Sequence, residues 1–105
     1  MQSSKFNQTF TLNGGLTYTF DNEWDEPSGY KNFNVMISSD KKSLITVFQD
    51  SESVPSQSNA IKTLSSTISA NTQIFFGNIT NRFISFTIKN LDSVQSNIKF
   101  YVVYK

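Results

Sequence analysis

Apolar residues recur at every second position over most of the chain, and β-branched or aromatic side chains fill those positions. That period is the mark of half-buried antiparallel strands. The first strand is read over Phe6 to Leu12, with Phe6, Phe10 and Leu12 on one face and Asn7, Thr9 and Thr11 on the other. Asn13-Gly14-Gly15 supplies residues that tolerate positive φ, as a tight hairpin requires. The hairpin continues as Leu16 to Phe20, with Leu16, Tyr18 and Phe20 turned to the core. A loop over Asp21 to Asn32 leads to a third strand that alternates Phe33, Val35 and Ile37, and Ser39 to Lys42 is a polar turn. Leu44 to Gln49 is apolar on both faces, which places this fourth strand inside its sheet.

Pro55 and the serines around it mark Asp50 to Asn59 as an exposed loop. Ile61, Leu64 and Ile68 also fit a helical stripe, but Thr63, Thr67 and the neighbouring serines favour extended structure, so Ile61 to Ser69 is read as a strand. Ala70-Asn71-Thr72 turns into Gln73 to Phe76, and Gly77-Asn78 breaks the chain there. Phe83 to Lys89 sets Ile84, Phe86 and Ile88 on one face. Ile98 to Lys105 turns Ile98, Phe100, Val102 and Tyr104 inward and keeps Tyr101 and Val103 on the other face, again an interior position. Two packed four-stranded sheets bury faces that one open sheet would leave wet. The expected fold is therefore all-β, an antiparallel β-sandwich of about eight strands of the jelly-roll kind, with residues 1–105 as a single domain.

Composition supports this and narrows the chemistry. There are only two Ala residues, and Ser, Thr, Asn and Gln make up about 41% of the chain, so side chains compete with any helical backbone. Leu, Ile, Val and Phe make up roughly 29%, enough for a folded core. The ten Phe and four Tyr must carry it, since no disulfide is available. With no His and no Cys, there is no His-dependent nucleophile system, no Cys/His zinc site and no thiol redox centre. The sequence thus points to a protein that is not an enzyme and needs no cofactor. A net charge of +1 gives no basic field for nucleic acid, and no apolar run approaches membrane-spanning length. Outward strand faces are expected to be uncharged, rich in amide and hydroxyl groups, and suited to wet packing against other subunits or glycans.

The loop around Trp24 holds Asp21, Glu23, Asp25 and Glu26, four of the eight acids, beside the only Trp. Trp24 and Tyr30 could stack on a sugar ring or a partner, with Asp25 and Asn22 accepting hydrogen bonds; the plain alternative is a Trp that plugs one end of the sandwich. The acids do not make a calcium loop of the EF-hand kind. Loop carboxylates adjacent in sequence, without a deep cleft, do not make a glycosidase pair. Arg82 is the single arginine, read as a solvated charge before a strand or as a holder of a carboxylate.

From the third strand onward the chain resembles small jelly-roll domains of virion structural proteins in tailed phages and large DNA viruses. The resemblance is carried by Ser38-Ser39-Asp40 leading to Leu44-Ile45-Thr46-Val47-Phe48-Gln49-Asp50-Ser51, by Ser69-Ala70-Asn71-Thr72, by Asn81 to Asn90 with its Arg82-Phe83 opening, and by Phe100 to Tyr104. The loop Asp50 to Asn59 lacks the glycine and tryptophan common at that place in such domains. A weaker similarity links the late strands to discoidin-like carbohydrate-binding domains. The resemblance implies a virion-located minor capsid, cement, penton or fibre-base protein, with other virion proteins and copies of itself as partners. A carbohydrate-binding module is the alternative.

Overall fold

A computed structural model of the chain describes residues 3–19, 26–27, 29–51, 60–69 and 72–105, with the backbone alone at 3–8. Its strands are β1 (Ser3–Leu12), β2 (Thr17–Thr19), β3 (Asn32–Ser39), β4 (Ser43–Asp50), β5 (Ile61–Ile68), β6 (Thr72–Asn78), β7 (Phe83–Asn90) and β8 (Ser96–Tyr104). There is no helix among the described residues. One sheet runs β1-β8-β3-β6 and the other β2-β7-β4-β5, with every pairing antiparallel. Of the consecutive strands only β4 and β5 share a sheet as neighbours; the other connections cross between sheets. This is the expected eight-stranded jelly-roll sandwich.

Period-two alternation places the core as the sequence implies. Phe33, Val35 and Ile37 of β3 and Ile98, Phe100, Val102 and Tyr104 of β8 face Ile45 and Val47 of β4 and Ile84, Phe86 and Ile88 of β7. All are at most 2% exposed. Phe86 meets Phe33 and Phe100 edge-on at centroid distances of 6.0 and 5.8 Å, the geometry that ring quadrupoles favour. β4 and β8 each pair on both sides, as their doubly apolar faces require.

Four expectations are corrected. β1 and β2 are not a hairpin, because β1 pairs β8 and β2 pairs β7 in the opposite sheet. Gly15 does take positive φ (77°), but its N–H donates to the Asn90 carbonyl, and the Asn90 N–H donates to the Leu16 carbonyl. Gly14 lies so close to Ser93 that a Cβ there would sit 2.5 Å from its carbonyl. The turn thus seats against the β7–β8 connection, and Phe10 and Tyr18 stack at 4.4 Å from opposite sheets. Leu16, expected in the core, belongs to that turn and is 53% exposed. Gly77 does not break β6 but pairs with Phe33 inside it, under a ring that would stand 2.3 Å from a Cβ. Finally, the outer face of the second sheet is not a uniform wet surface. Thr46, Phe48, Phe83, Ser85 and Thr87 on that face are all buried.

Polar side chains tie the ends of the sandwich. The Asn90 amide, fully buried, donates to the carbonyls of Leu12 and Val94 and accepts from the Asp92 N–H. Ser39 lies within hydrogen-bond reach of Ser43 and Ser96 at 3.0 and 2.7 Å, and Ser96 donates onward to Asp40. Toward the other end, Gln49 is completely buried and uses its whole amide. Nε2 donates to Thr63 Oγ1 and the Asn78 carbonyl, and Oε1 accepts from the N–H groups of Thr80 and Asn81.

Candidate interaction face

The outer face of the β1-β8-β3-β6 sheet is where the structure gathers exposed apolar area. Outward positions of β6 carry Ile74 and Phe76, 54% and 69% exposed. The register sets Met36 opposite Ile74 on one side and Tyr101 on the other. Asn34 lies between Phe76 and Val103 in the next row, and Ser38 between Thr72 and Lys99 in the row beyond Met36. The result is an apolar band of Phe76, Ile74 and Met36, continued by half-buried Tyr101 and Val103.

Two hollows flank the band. One, of about 300 Å³, is lined by Met36, Ser38, Thr72, Lys99 and Tyr101. The other, of about 350 Å³, is lined by Asn32, Phe33, Phe76, Gly77, Asn78 and Lys105. With the Asn34 amide turned so that its oxygen faces the cation, Lys105 Nζ donates to it at 2.8 Å. Each hollow therefore combines one ammonium with hydroxyl or amide groups beside apolar surface. Such a face can exclude water from a partner and fix its orientation by hydrogen bonds.

The face ends at Asp40, which follows β3. Its carboxylate accepts from the Asn97 N–H at 2.8 Å, from Ser96 Oγ at 2.8 Å and from Asn97 Nδ2 at 3.1 Å. These bonds, led by the Asn97 backbone N–H, hold its pKa below the ordinary value of 3.8. Asp40 is thus a latch on the β3–β4 turn. Among the described residues no group of three or more Asp, Glu, His or Cys side chains is placed to hold a metal ion.

Of the residues singled out from the sequence, Asn22, Trp24 and Asp25 lie outside the described residues. Tyr30 is half-buried against the core with its ring 6.1 Å from that of Tyr104. Arg82 holds a carboxylate of its own chain, Glu26, at 2.8 Å, with the two side chains 66% and 42% exposed. Its guanidinium also lies 5.0 Å from the Phe83 ring centroid. The band itself escaped the sequence reading, although its signal was present. Met36, Tyr101 and Val103 are apolar residues in the outward phase of their strands, and only the strand order brings them beside Ile74 and Phe76.

No family model matches this sequence, and no curated protein matches it. Solved structures do match in fold. The structure of the PBSX exported protein XepA superposes with a TM-score of 0.76 at 13% identity over 99% of this chain, which spans 36% of the XepA chain. A structure from Bacillus endospore appendages, described as a family of disulfide-linked pili, gives a TM-score of 0.67 at 10% identity, covering 99% of this chain and 85% of the other. A de novo designed double-stranded β-helix gives 0.52 at 13% identity, covering 96% of this chain and all of the design. At these identities the likeness is one of fold, and the chain is a jelly-roll sandwich of the double-stranded β-helix type.

Proposed function

We propose that this chain is a non-enzymatic structural subunit of a virion or a related extracellular assembly, a minor capsid, cement, penton or fibre-base component acting through protein-protein contacts. The observation that carries the reading is the exposed band of Met36, Ile74 and Phe76 on one sheet face. Apolar area gathered on one face, rimmed by polar groups, is characteristic of interaction surfaces. The occurrence of the same fold in the PBSX exported protein XepA and in a pilus of Bacillus endospore appendages supports it. The test is mass spectrometry of purified particles together with antibody labelling in the electron microscope. The chain is expected at fixed copy number in the particles, with incorporation reduced by the paired change Met36→Ser and Tyr101→Ser. Recovery of the chain only outside particles overturns the reading.

The hollow that sets Tyr101 beside Ser38, Thr72 and Lys99 favours a second reading, a carbohydrate-binding module. An aromatic ring next to hydroxyl and ammonium donors suits a sugar ring. Binding on a glycan array that is abolished by Tyr101→Ala supports this reading. Silence across a broad sugar panel removes it.

A further inference from the structure

Among the asparagines of this chain only Asn13 is followed by glycine. The backbone nitrogen after an asparagine can attack the side-chain amide carbon, and glycine, with no Cβ, leaves that approach open. Asn13 is exposed, in the turn between β1 and β2. Its Oδ1 accepts a hydrogen bond at 3.0 Å from Nε2 of Gln95, which belongs to the β7–β8 connection. A donor held on that oxygen polarises the amide carbonyl and stabilises the negative charge the oxygen gains when its carbon is attacked. Asn32, Asn78 and Asn97 are exposed too, but Phe33, Ile79 and Ile98 follow them and crowd the attacking nitrogen.

From this arrangement we infer that Asn13-Gly14 is a self-modification site, where the Gly14 nitrogen displaces ammonia from the Asn13 side chain with Gln95 as the oxyanion donor. A bond forms from Gly14 N to Asn13 Cγ, the Gly14 N–H proton passes to solvent base, and the Cγ–Nδ2 bond breaks as ammonia leaves. The product is a cyclic imide, a succinimide. Water, which reaches this exposed turn, then adds to one of the imide carbonyl carbons. Addition at Cγ breaks the new bond and leaves aspartate. Addition at the main-chain carbonyl carbon of Asn13 breaks the original peptide bond and leaves isoaspartate, with the chain rerouted through Cβ and Cγ. The net change is amide plus water to carboxylate plus ammonium, so no oxidant or reductant enters.

The two products act differently on the fold. Aspartate keeps the chain length and can still accept from Gln95. Isoaspartate lengthens the main chain by one methylene just where Gly14 is seated so tightly that a Cβ would meet the Ser93 carbonyl at 2.5 Å and the Asp92 carbonyl oxygen at 2.8 Å. Gly14 must then leave its seat. The turn is closed by the Leu16 N–H on the Asn13 carbonyl at 3.2 Å, and that carbonyl becomes a carboxylate off the main chain in isoaspartate. The bonds from Gly15 N–H to the Asn90 carbonyl and from Asn90 N–H to the Leu16 carbonyl, both 3.0 Å, depend on the same seat. β2 follows with only three residues paired to β7, so the modification loosens the crossing from one sheet to the other.

The test is incubation of the full chain in mildly alkaline buffer made with heavy-oxygen water, once folded and once in urea. Peptide mapping by tandem mass spectrometry then follows position 13, with isoaspartate separated from aspartate. Gln95→Ala, a change at an exposed residue, is measured beside the parent, with circular dichroism to confirm an unchanged fold. Heavy oxygen is expected at position 13 well ahead of positions 32, 78 and 97. Gln95→Ala should slow the reaction roughly three- to tenfold in the folded chain, the worth of about one hydrogen bond, and leave the rate in urea unchanged. Hydrogen exchange of the isoaspartyl form should show faster exchange at Gly15 and Asn90. An unmodified Asn13 in the folded chain after the chain in urea has converted overturns the inference. So does a Gln95→Ala chain that converts as fast as the parent or faster, or an isoaspartyl form with Gly15 and Asn90 still protected.

Discussion

Replacing Gln49 by Met keeps the length and bulk of the side chain and deletes all four of its hydrogen bonds. Thr63 Oγ1 loses little, because it is a rotatable group on an exposed residue. The Asn78 carbonyl and the N–H groups of Thr80 and Asn81 lose a partner at 3.0, 2.7 and 3.2 Å. A stranded backbone group costs about 1–3 kcal/mol when buried. Since Asn78 and Thr80 are exposed as residues and Asn81 is half-buried, water restores part of that, leaving a loss of about 2–4 kcal/mol. For a domain of this size each 1 kcal/mol shifts the melting temperature by about 4–8 °C, so a fall of more than about 8 °C is expected. Urea denaturation should show a lower midpoint with an unchanged m-value. Hydrogen exchange should show loss of protection concentrated at the Thr80 and Asn81 amides. A loss below about 1 kcal/mol with those amides still protected would refute the view that Gln49 holds the β6–β7 connection onto β4.

Three further outcomes follow from the packing. Gly77→Ala drives a Cβ to within 2.3 Å of the fully buried Phe33 ring, and thermal unfolding should report a loss of about 2 kcal/mol or more. Ser85 Oγ is buried and has no hydrogen-bond partner among the described residues, so Ser85→Ala should raise stability by about 0.5–1 kcal/mol in chemical denaturation; a loss would show that the hydroxyl is satisfied. Asp40 has a lowered folded-state pKa, so its contribution is present above its unfolded value and disappears as pH falls through the folded one. Between pH 5 and 2, Asp40→Asn should therefore lose less stability than the parent chain; parallel acid limbs would contradict the latch.

How much was legible depended on the range of the physics involved. The alternation of Phe33, Val35 and Ile37, or of Ile84, Phe86 and Ile88, follows from the pleat of a single strand, and the structure buries these residues. Gln49 read as the polar end of a strand because nothing local shows that Asn78, Thr80 and Asn81 will converge on it. Gly77 read as a breaker because a glycine covered by an aromatic ring has no local signature. The interaction band needed both kinds of information. Outward apolar residues were visible on β3 and β8, but their union with Ile74 and Phe76 depends on β6 lying beside β3.

By itself the sequence determined an all-β sandwich with an aromatic and aliphatic core, because period-two patterning decides which side of each strand is buried. It also determined a chain without His or Cys chemistry. Tertiary structure alone decided that Asn13 to Leu16 crosses between sheets instead of folding back as a hairpin. A glycine-containing turn permits either course, and the choice is made by the Asn90 bonds and the close seat of Gly14 on Ser93, contacts some 80 residues away in sequence. It also decided which strands lie at the sheet edges, since an edge exists only once the strand order is fixed.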